Sequence, residues 1–119
     1  MSRPLPSANV CVVVGTLRRT PEVRALRSGE VVAELEVRVE QPDAVETVPV
    51  TVSDPPASVL GLPPGAPVVV RGRVRRRFFR AGGTTQSRTE VVAAQIEHAT
   101  RRARVRRLLD AARADLAPG

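Results

Sequence analysis

Six arginines and no acidic residue lie between residues 71 and 80, which makes this segment the most basic part of the chain. In an extended strand every second side chain points to the same face. One face of this segment would carry Arg71, Arg73, Arg75, Arg77 and Phe79. Neighbouring groups on such a face lie about 7 Å apart, close to the phosphate spacing of an extended single strand, and the ring could stack on a base. The pattern predicts single-stranded nucleic-acid binding; the alternative is a solvated face whose charges block edge pairing.

The charge of the chain is concentrated in two segments. All 19 basic residues are arginine, and the formal net charge is +7. Residues 71–80 carry +6 and residues 101–119 carry +4, while the rest of the chain carries −3. This distribution is typical of a polyanion-binding protein, and arginine suits phosphate because its guanidinium binds as a planar fork. The exclusive use of arginine fits a GC-rich genome equally well, and on that interpretation it says nothing about function.

Alternating apolar and polar residues predict a mainly β protein whose strands position these arginines. We expect strands at residues 9–17, 31–40, 45–52, 68–79 and 88–97. Pro49 indicates that the third of these lies at an edge or carries a bulge. Proline between residues 55 and 67 limits any helix there to a turn near residues 57–60, and residues 81–87 form a Gly-Gly hairpin loop. Four more arginines at the ends of predicted strands join the candidate nucleic-acid-binding residues: Arg80, Arg18, Arg19 and Arg88.

A helical period replaces the alternation at residues 100–116, where apolar residues recur every three or four positions. Thr100 is the expected N-cap. The apolar face should pack on the barrel or on a neighbouring subunit, leaving Arg101 and Arg104 outward; a disordered basic tail is the alternative. The residues of this face are Val105, Leu108, Leu109, Ala112 and Leu116.

The first predicted strand is apolar on both faces, with Val12 and Val14 on one and Cys11 and Val13 on the other. The chain has no Trp or Tyr and only two Phe, so its core must consist of small branched side chains. A short chain with so thin a core often gains burial by oligomerising. We therefore expect the outer face of this strand to meet a partner subunit.

Several segments, taken in order, resemble bacterial single-stranded DNA-binding proteins over about residues 8–98. They are Asn9–Leu17, Thr20–Arg24, Ser28-Gly29 with the strand from Val31, Pro64–Val74 and Thr89–Ala93. The resemblance implies an OB fold, which is a five-stranded Greek-key barrel, here followed by the C-terminal amphipathic helix. It divides the chain into a leader (1–8), an OB-fold domain (9–99) and a basic helix or tail (100–119).

The resemblance also implies a cytoplasmic, nucleoid-associated homo-oligomer, dimer or tetramer, that binds single-stranded DNA without sequence preference in replication, recombination or repair. By this resemblance the groove aromatic falls at Phe79 and the basic groove residues at Arg73, Arg75 and Arg77. The family's other stacking aromatics fall near Asp43, Glu46 and Val52, none of which stacks a base. Weaker and more salt-sensitive binding is therefore expected. Since Ala117-Pro118-Gly119 stands in place of an acidic, Phe-terminated tail, we expect no recruitment of other enzymes through such a tail.

Enzymatic activity is not expected. His98 has no Cys, Asp or Ser at the spacing of a triad or metal site, and Gly82-Gly83 is too isolated to be a phosphate loop. Cys11 is typical of a small buried hydrophobe. We expect no cofactor, metal, membrane or small-molecule substrate. Two other functions fit the same residues: an OB-fold assembly or accessory module that binds protein, and a single-stranded RNA binder.

Overall fold

The structure is a computed structural model that describes residues 6–117, so residues 1–5 of the predicted leader and residues 118–119 lie outside the described part. The described residues form six strands and two helices. The strands are β1 (Cys11–Leu17), β2 (Glu22–Ala25), β3 (Val31–Gln41), β4 (Ala44–Ser53), β5 (Pro67–Ala81) and β6 (Thr84–His98). The helices are α1 (Ala57–Leu60) and α2 (Arg102–Leu116).

Five of the strands close into a barrel in the order β1-β5-β6-β4-β3, with β1 and β3 pairing to complete the circle. All of these pairings are antiparallel except that of β4 with β6, whose register covers only Val50 and Thr51. The edge or bulge predicted from Pro49 is wrong, because β4 lies between β6 and β3 and pairs with β3 without a register shift. Pro49 lies one residue before the short parallel segment. The mainly β class, the closed five-stranded barrel of OB type and the C-terminal helix predicted from the sequence are confirmed.

The strand β2 was not among the predicted strands. It pairs antiparallel with the start of β3, from Glu22 opposite Glu34 to Ala25 opposite Val31. All four of its residues are exposed, so it lacks the alternation of buried side chains by which strands are recognised in a sequence. The turn that joins the two strands contains Gly29 at φ +87°, a conformation that glycine adopts without strain.

The barrel core contains no aromatic ring among the described residues and consists of Leu, Val, Ile and Ala side chains. Its largest fully buried members include Leu17, Leu35 and Val37. Ala33, Leu35 and Val37 lie on the inner face of β3, as its alternation predicts, and Glu34 and Glu36 lie on the outer face. Small branched side chains fill the narrow interior of a barrel of this size.

Two glycines allow the strands to come close together. A Cβ at Gly15 would lie 2.3 Å from the carbonyl oxygen of Arg38, at the point where β1 passes from β5 to β3. A Cβ at Gly72 would lie 2.2 Å from the carbonyl oxygen of Val92, beside the register shift between β5 and β6. Glycine at these bends permits the sharp coiling that closes the barrel.

The pairing of β5 with β6 is longer than the sequence suggested. The hairpin loop predicted at residues 81–87 is wrong, because the strands continue to Ala81 and from Thr84, and only Gly82 and Gly83 form the turn. Both glycines have positive φ, of 58° and 80°, as a two-residue turn of type I′ requires. Each strand has 15 residues and carries its side chains out to the tip of the hairpin.

Helix α2 packs on β5 and β6 through Leu108 and Ala112, which are buried, and Val105, which is half-buried. Leu109 and Leu116 are exposed and do not pack on the barrel, which leaves their predicted contact with a neighbouring subunit untested. The prediction that Thr100 caps the helix is wrong. The Thr100 hydroxyl instead lies 2.7 Å from Nδ1 of His98, and Arg101 occupies the N-cap position without a side-chain cap. No helix within residues 6–117 is long and apolar enough to cross a bilayer.

Two adjacent leucines of α2 test this packing. Leu108→Ala should lower the free energy of unfolding by about 2–5 kcal/mol, because it removes a fully buried side chain. Leu109→Ala should change it by less than about 0.5 kcal/mol, because that side chain is partly exposed. Urea denaturation of both variants measures the difference; equal losses would contradict the observed orientation of the helix.

Candidate nucleic-acid interface

The arginine row of β5, which we define as Arg71, Arg73, Arg75 and Arg77, lies on one face of the β5–β6 pair. Across the pair, Arg73 is opposite Val92, Arg75 opposite Glu90 and Arg77 opposite Arg88. The register shift beside Gly72 leaves the alternation of β5 unbroken, because the unpaired residue, Ala94, belongs to β6. The structure thus brings these four arginines together in the linear arrangement that the spacing predicts.

An acidic residue lies directly beneath the middle of the row. The carboxylate of Glu90 is the one buried charged group of the described residues, with 2% of its side chain exposed. Arg75 Nη2 donates a hydrogen bond of 2.8 Å to Glu90 Oε1, and Arg77 Nε lies 3.2 Å from the same oxygen. The Thr51 hydroxyl donates to Oε2 at 2.7 Å. The carboxylate therefore holds two like-charged guanidinium groups side by side, which would otherwise repel each other.

The surroundings of Glu90 keep it ionised. Burial alone would raise its pKa by penalising the charged form, but hydrogen bonds from Arg75 and Thr51 and the attraction of both arginines outweigh that effect. The net result is a pKa below the ordinary value for glutamate. One negative charge thus offsets part of the positive charge of the row at neutral pH.

Both guanidinium groups retain hydrogen-bonding capacity. Within the described part of the chain, Nε of Arg75 and Nε of Arg77 are buried and have no well-aligned hydrogen-bond acceptor, so they are not among the donors that face solvent. Each side chain is 38% exposed, and a guanidinium has five N–H donors, of which the carboxylate uses only one or two. The outward donors remain available to a phosphate.

A groove runs beside the row and is lined by five strands of the sheet. Its polar wall includes Thr51 and Ser53 of β4 and an ion pair in which Arg24 Nη2 lies 2.6 Å from Glu34 Oε1. The residues lining it are Arg24, Leu26, Glu30, Val32, Glu34, Thr51, Ser53, Arg75, Arg77, Glu90 and Val92. The three arginines and three glutamates of the lining balance, so the groove has no net formal charge, in contrast to the row considered alone.

The other end of the row meets helix α2 and the segment before β1. Arg71 Nη1 lies 2.6 Å from Asp115 Oδ2, so the first arginine of the row is also paired with an acid. Asn9 fixes the chain beside it, since its side-chain amide donates to the Val74 carbonyl at 2.7 Å and accepts from the Val74 N–H at 2.9 Å. Arg73 lines a depression between the segment before β1, strand β5 and the end of α2. Its side chain is exposed and has no carboxylate within 4 Å among residues 6–117.

The two phenylalanines lie near the tip of the β5–β6 hairpin, each stacked with the arginine two residues before it. The Arg77 guanidinium carbon is 5.6 Å from the Phe79 ring centre, and that of Arg76 is 5.3 Å from the Phe78 ring centre. Phe78 is 65% exposed and Phe79 is 37% exposed. Both rings therefore offer exposed surface to a stacking base, on opposite faces of the hairpin.

The other candidate residues lie apart from the middle of the row. Arg80 donates to the Gly83 carbonyl at 3.0 Å, in the hairpin turn. Arg18 and Arg19 both pair with Glu36, at 3.3 and 3.0 Å. Arg19 and Arg88 line one small depression together with Glu22, Glu34 and Glu36. The three acids of that depression outnumber its two arginines, which disfavours a phosphate there.

Local sequence patterns did not indicate three residues of this interface, namely Phe78, Glu90 and Asp115. Phe78 lies on the face opposite the row, near the tip of the long hairpin, where it is exposed. Glu90 and Asp115 lie 15 and 44 positions from their arginine partners, and no local pattern indicates such pairs. The acid-free segment 71–80 therefore suggested more unpaired charge than the folded chain presents.

The buried carboxylate gives a stability prediction. Glu90→Gln should lower the free energy of unfolding at pH 7 by about 3 kcal/mol, the low end for a broken buried ion pair, because the arginine heads are partly solvated. Since the folded pKa of Glu90 is lowered, its contribution is complete above the unfolded pKa of about 4.3 and is lost as the pH falls through the folded value.

The free energies of unfolding of the wild type and of Glu90→Gln should therefore approach each other as the pH falls. Urea denaturation of wild type and Glu90→Gln at pH 7 and at successively lower pH measures this convergence. Exposed Glu22 provides the control, since Glu22→Gln should change stability by no more than about 0.5 kcal/mol. A difference between wild type and Glu90→Gln that does not vary with pH would contradict the proposed ion pairing.

Comparisons with known proteins place the chain in a family. The model of the single-strand binding protein family matches residues 8–99, which is most of the chain and all of the barrel. No curated protein matches the chain. This is a family of single-stranded DNA-binding proteins that are not enzymes, and its match ends before helix α2. The barrel fold and the family match lead to one conclusion: the chain belongs to the single-strand binding protein family.

Proposed function

We propose that the protein binds single-stranded DNA without sequence preference along the arginine row and the adjoining groove, in support of replication, recombination or repair. One observation supports this proposal most directly: Arg73, Arg75 and Arg77 lie in line on one face of β5. The partly exposed ring of Phe79 follows them on the same face. A positively charged groove that follows a backbone, with rings on which bases stack, is the usual means of binding single strands.

The arrangement favours a single strand over a duplex. The bases of a duplex are stacked on each other, so they are not accessible for stacking on the rings of Phe78 and Phe79. A flexible strand can direct its phosphates to the row and a base to the ring of Phe79, which lies on the same face, at the same time. Phosphate contacts carry no sequence information, and stacking tolerates every base, so no sequence preference is expected.

Stacking should contribute less than phosphate contacts to this binding. The family resemblance places further aromatics near Asp43, Glu46 and Val52. Asp43 and Glu46 are exposed acidic residues near the β3–β4 turn, and Val52 is buried in the core. The described residues therefore offer two rings, both on the β5–β6 hairpin. Since a stacked base is worth about 1–3 kcal/mol, the remaining affinity must come from arginine and falls with salt.

A protein-interaction function is the second candidate, and the internal ion pairs favour it. Arg71, Arg75 and Arg77 already contact acids of the same chain, which leaves Arg73 as the member of the row with no carboxylate partner among residues 6–117. An accessory subunit could use the same surface to bind an acidic protein.

Single-stranded RNA fits the proposed site as well as single-stranded DNA, because phosphate and stacking contacts serve both.

A binding experiment separates these functions. Fluorescence anisotropy with a labelled oligo-dT, an oligo-U and a duplex should show tighter binding of the single strands than of the duplex. Arg73→Ala should reduce the slope of log affinity against log salt by about 0.7, the value for one lost phosphate contact on a single strand. Arg27→Ala removes the same charge from the exposed turn before β3 and should leave the slope unchanged.

The aromatic contribution has its own variant. Phe79→Ala should cost about 1–3 kcal/mol of binding free energy through lost stacking, with little change in slope. Replacing Arg75 and Arg77 by Ala would leave Glu90 buried without a counter-charge, so these two arginines are not used as binding variants. Equal affinity for duplex would exclude the groove as a single-strand site, and absence of binding at low salt would favour the accessory function.

We also propose that the protein is a homo-oligomer, a dimer or a tetramer. The outer face of β1 carries Val12 and Val14, which are 40% and 60% exposed in the single chain. Exposed apolar side chains side by side on a strand are typical of subunit contacts. Sedimentation at tens of micromolar should give a multiple of 12.8 kDa, and Val14→Asp should lower it. A monomer mass for the wild type would contradict this proposal.

A further inference from the structure

The outer surface of helix α2 is strongly basic, with six arginines and the exposed acid Asp110, and most of these arginines have no carboxylate within 4 Å in the described part of the chain. Its arginines are all exposed: Arg101 at the N-cap and Arg102, Arg104, Arg106, Arg107 and Arg113 within the helix. Among residues 6–117, Arg104 alone of this set has a carboxylate within 4 Å, at 3.9 Å from Glu97. Asp115 is already paired with Arg71. The helix thus differs from the row of β5, where most arginines have acidic partners.

Helix stability does not explain this placement of charge. The N-terminal end of a helix carries a partial positive charge, yet the first turn of α2 contains arginines and no acid. Arg102 and Arg106 are also four residues apart, a spacing at which like charges cost a few tenths of a kcal/mol. A bound polyanion would offset both effects.

Three of the arginines share one side of the helix. With 3.6 residues per turn, Arg102, Arg106 and Arg113 fall on a common stripe, alongside the exposed Leu109 and Leu116. Leu108 and Ala112, which pack on the barrel, lie on a different side. The stripe spans about 16 Å along the helix axis at 1.5 Å per residue, which is long enough to follow two or three phosphates of a strand.

The C-terminal end of α2 adjoins the arginine row through Asp115, which lies about 160° around the helix axis from Arg113, so a strand has to pass around the helix to reach the stripe. The helix packs on the same face of β5 and β6 that carries the row, and the Arg71–Asp115 ion pair marks the junction. Arg71, Arg73 and Asp115 line one depression. Val92 lines both that depression and the groove that holds Arg75 and Arg77. A strand leaving the groove at Arg73 therefore arrives at the C-terminal end of α2.

We propose that α2 forms a second segment of the nucleic-acid path, in which phosphates of a strand longer than the groove contact Arg102, Arg106 and Arg113. This inference rests on the single-strand binding proposed above and extends it beyond residues 8–99, the part matched by the family model. The occupant is the sugar-phosphate backbone, because the stripe offers guanidinium groups at intervals and no aromatic ring.

The test compares short and long strands on one variant. Arg102→Ala, Arg106→Ala and Arg113→Ala are combined; alanine favours the helix, and all three positions are exposed, so the fold should persist. Anisotropy is measured over a range of salt with oligo-dT of about 8 and about 30 nucleotides, since one OB fold covers about 4–16 nucleotides. With the long strand the slope should fall by about 2, for three lost contacts. With the short strand it should not change.

Two further measurements distinguish direct phosphate contacts on α2 from a non-specific effect of the net charge of the protein. The corresponding triple lysine variant should restore the slope with the long strand, since lysine retains the phosphate contact as a point charge. Amide exchange in residues 102–113 of the wild type should slow with the long strand only. An unchanged slope with the long strand, or an equal fall with both lengths, would overturn the inference. Failure of the wild type to bind either strand would instead refute the proposed function.

Discussion

The long antiparallel pairing of β5 with β6 is the constraint on which the other features of the molecule depend. On one side β5 pairs with β1, and on the other β6 pairs with β4, so the same two strands close the barrel. Their outer face receives α2, and their distal ends continue past the barrel to the Gly82-Gly83 turn. Because each strand has 15 residues, one face extends from the helix contact at Arg71 to the ring of Phe79 without interruption. A shorter hairpin would still close a barrel but would have no arm to carry the arginines.

A row of like charges at this spacing requires internal compensation, and Glu90 supplies it. Its carboxylate lies in the sheet beneath Arg75 and Arg77, where Thr51 satisfies its second oxygen. The arrangement lowers the net charge of the groove. It also fixes two guanidinium groups in one orientation, in which some of their N–H donors do not bond to Glu90. Fixed donors lose less conformational entropy on meeting a phosphate than free arginines do. At Arg75 and Arg77 part of the net charge is thus neutralised and the guanidinium groups are held in place, while Arg73 has no carboxylate partner among residues 6–117.

Local patterns in the sequence were sufficient to predict the barrel strands and the face that carries the arginines. The alternation of β3 and the helical period of α2 each depend on neighbours within a few residues, which a single sequence displays directly. The features that it did not predict have other causes. The exposed strand β2 has no buried side chain to produce a pattern, and Thr100 turns to His98 rather than to the helix. The pairs of Arg71 with Asp115 and of Arg75 with Glu90 arise from tertiary register, so the charge of the interface could not be derived by counting residues in a segment.

The scarcity of rings and the abundance of arginine have a common consequence for the proposed binding. Stacking energy depends little on ionic strength, whereas each phosphate contact releases counterions and weakens as salt rises. Both rings of the chain stack on arginines of their own hairpin, Phe78 on Arg76 and Phe79 on Arg77, so part of their surface is already used. A protein built in this way gains affinity chiefly by adding phosphate contacts, and a basic helix placed at the end of the row adds them without enlarging the barrel. The charge on α2 and the scarcity of rings in the barrel are consistent with the proposed binding, in which phosphate contacts contribute more than stacking.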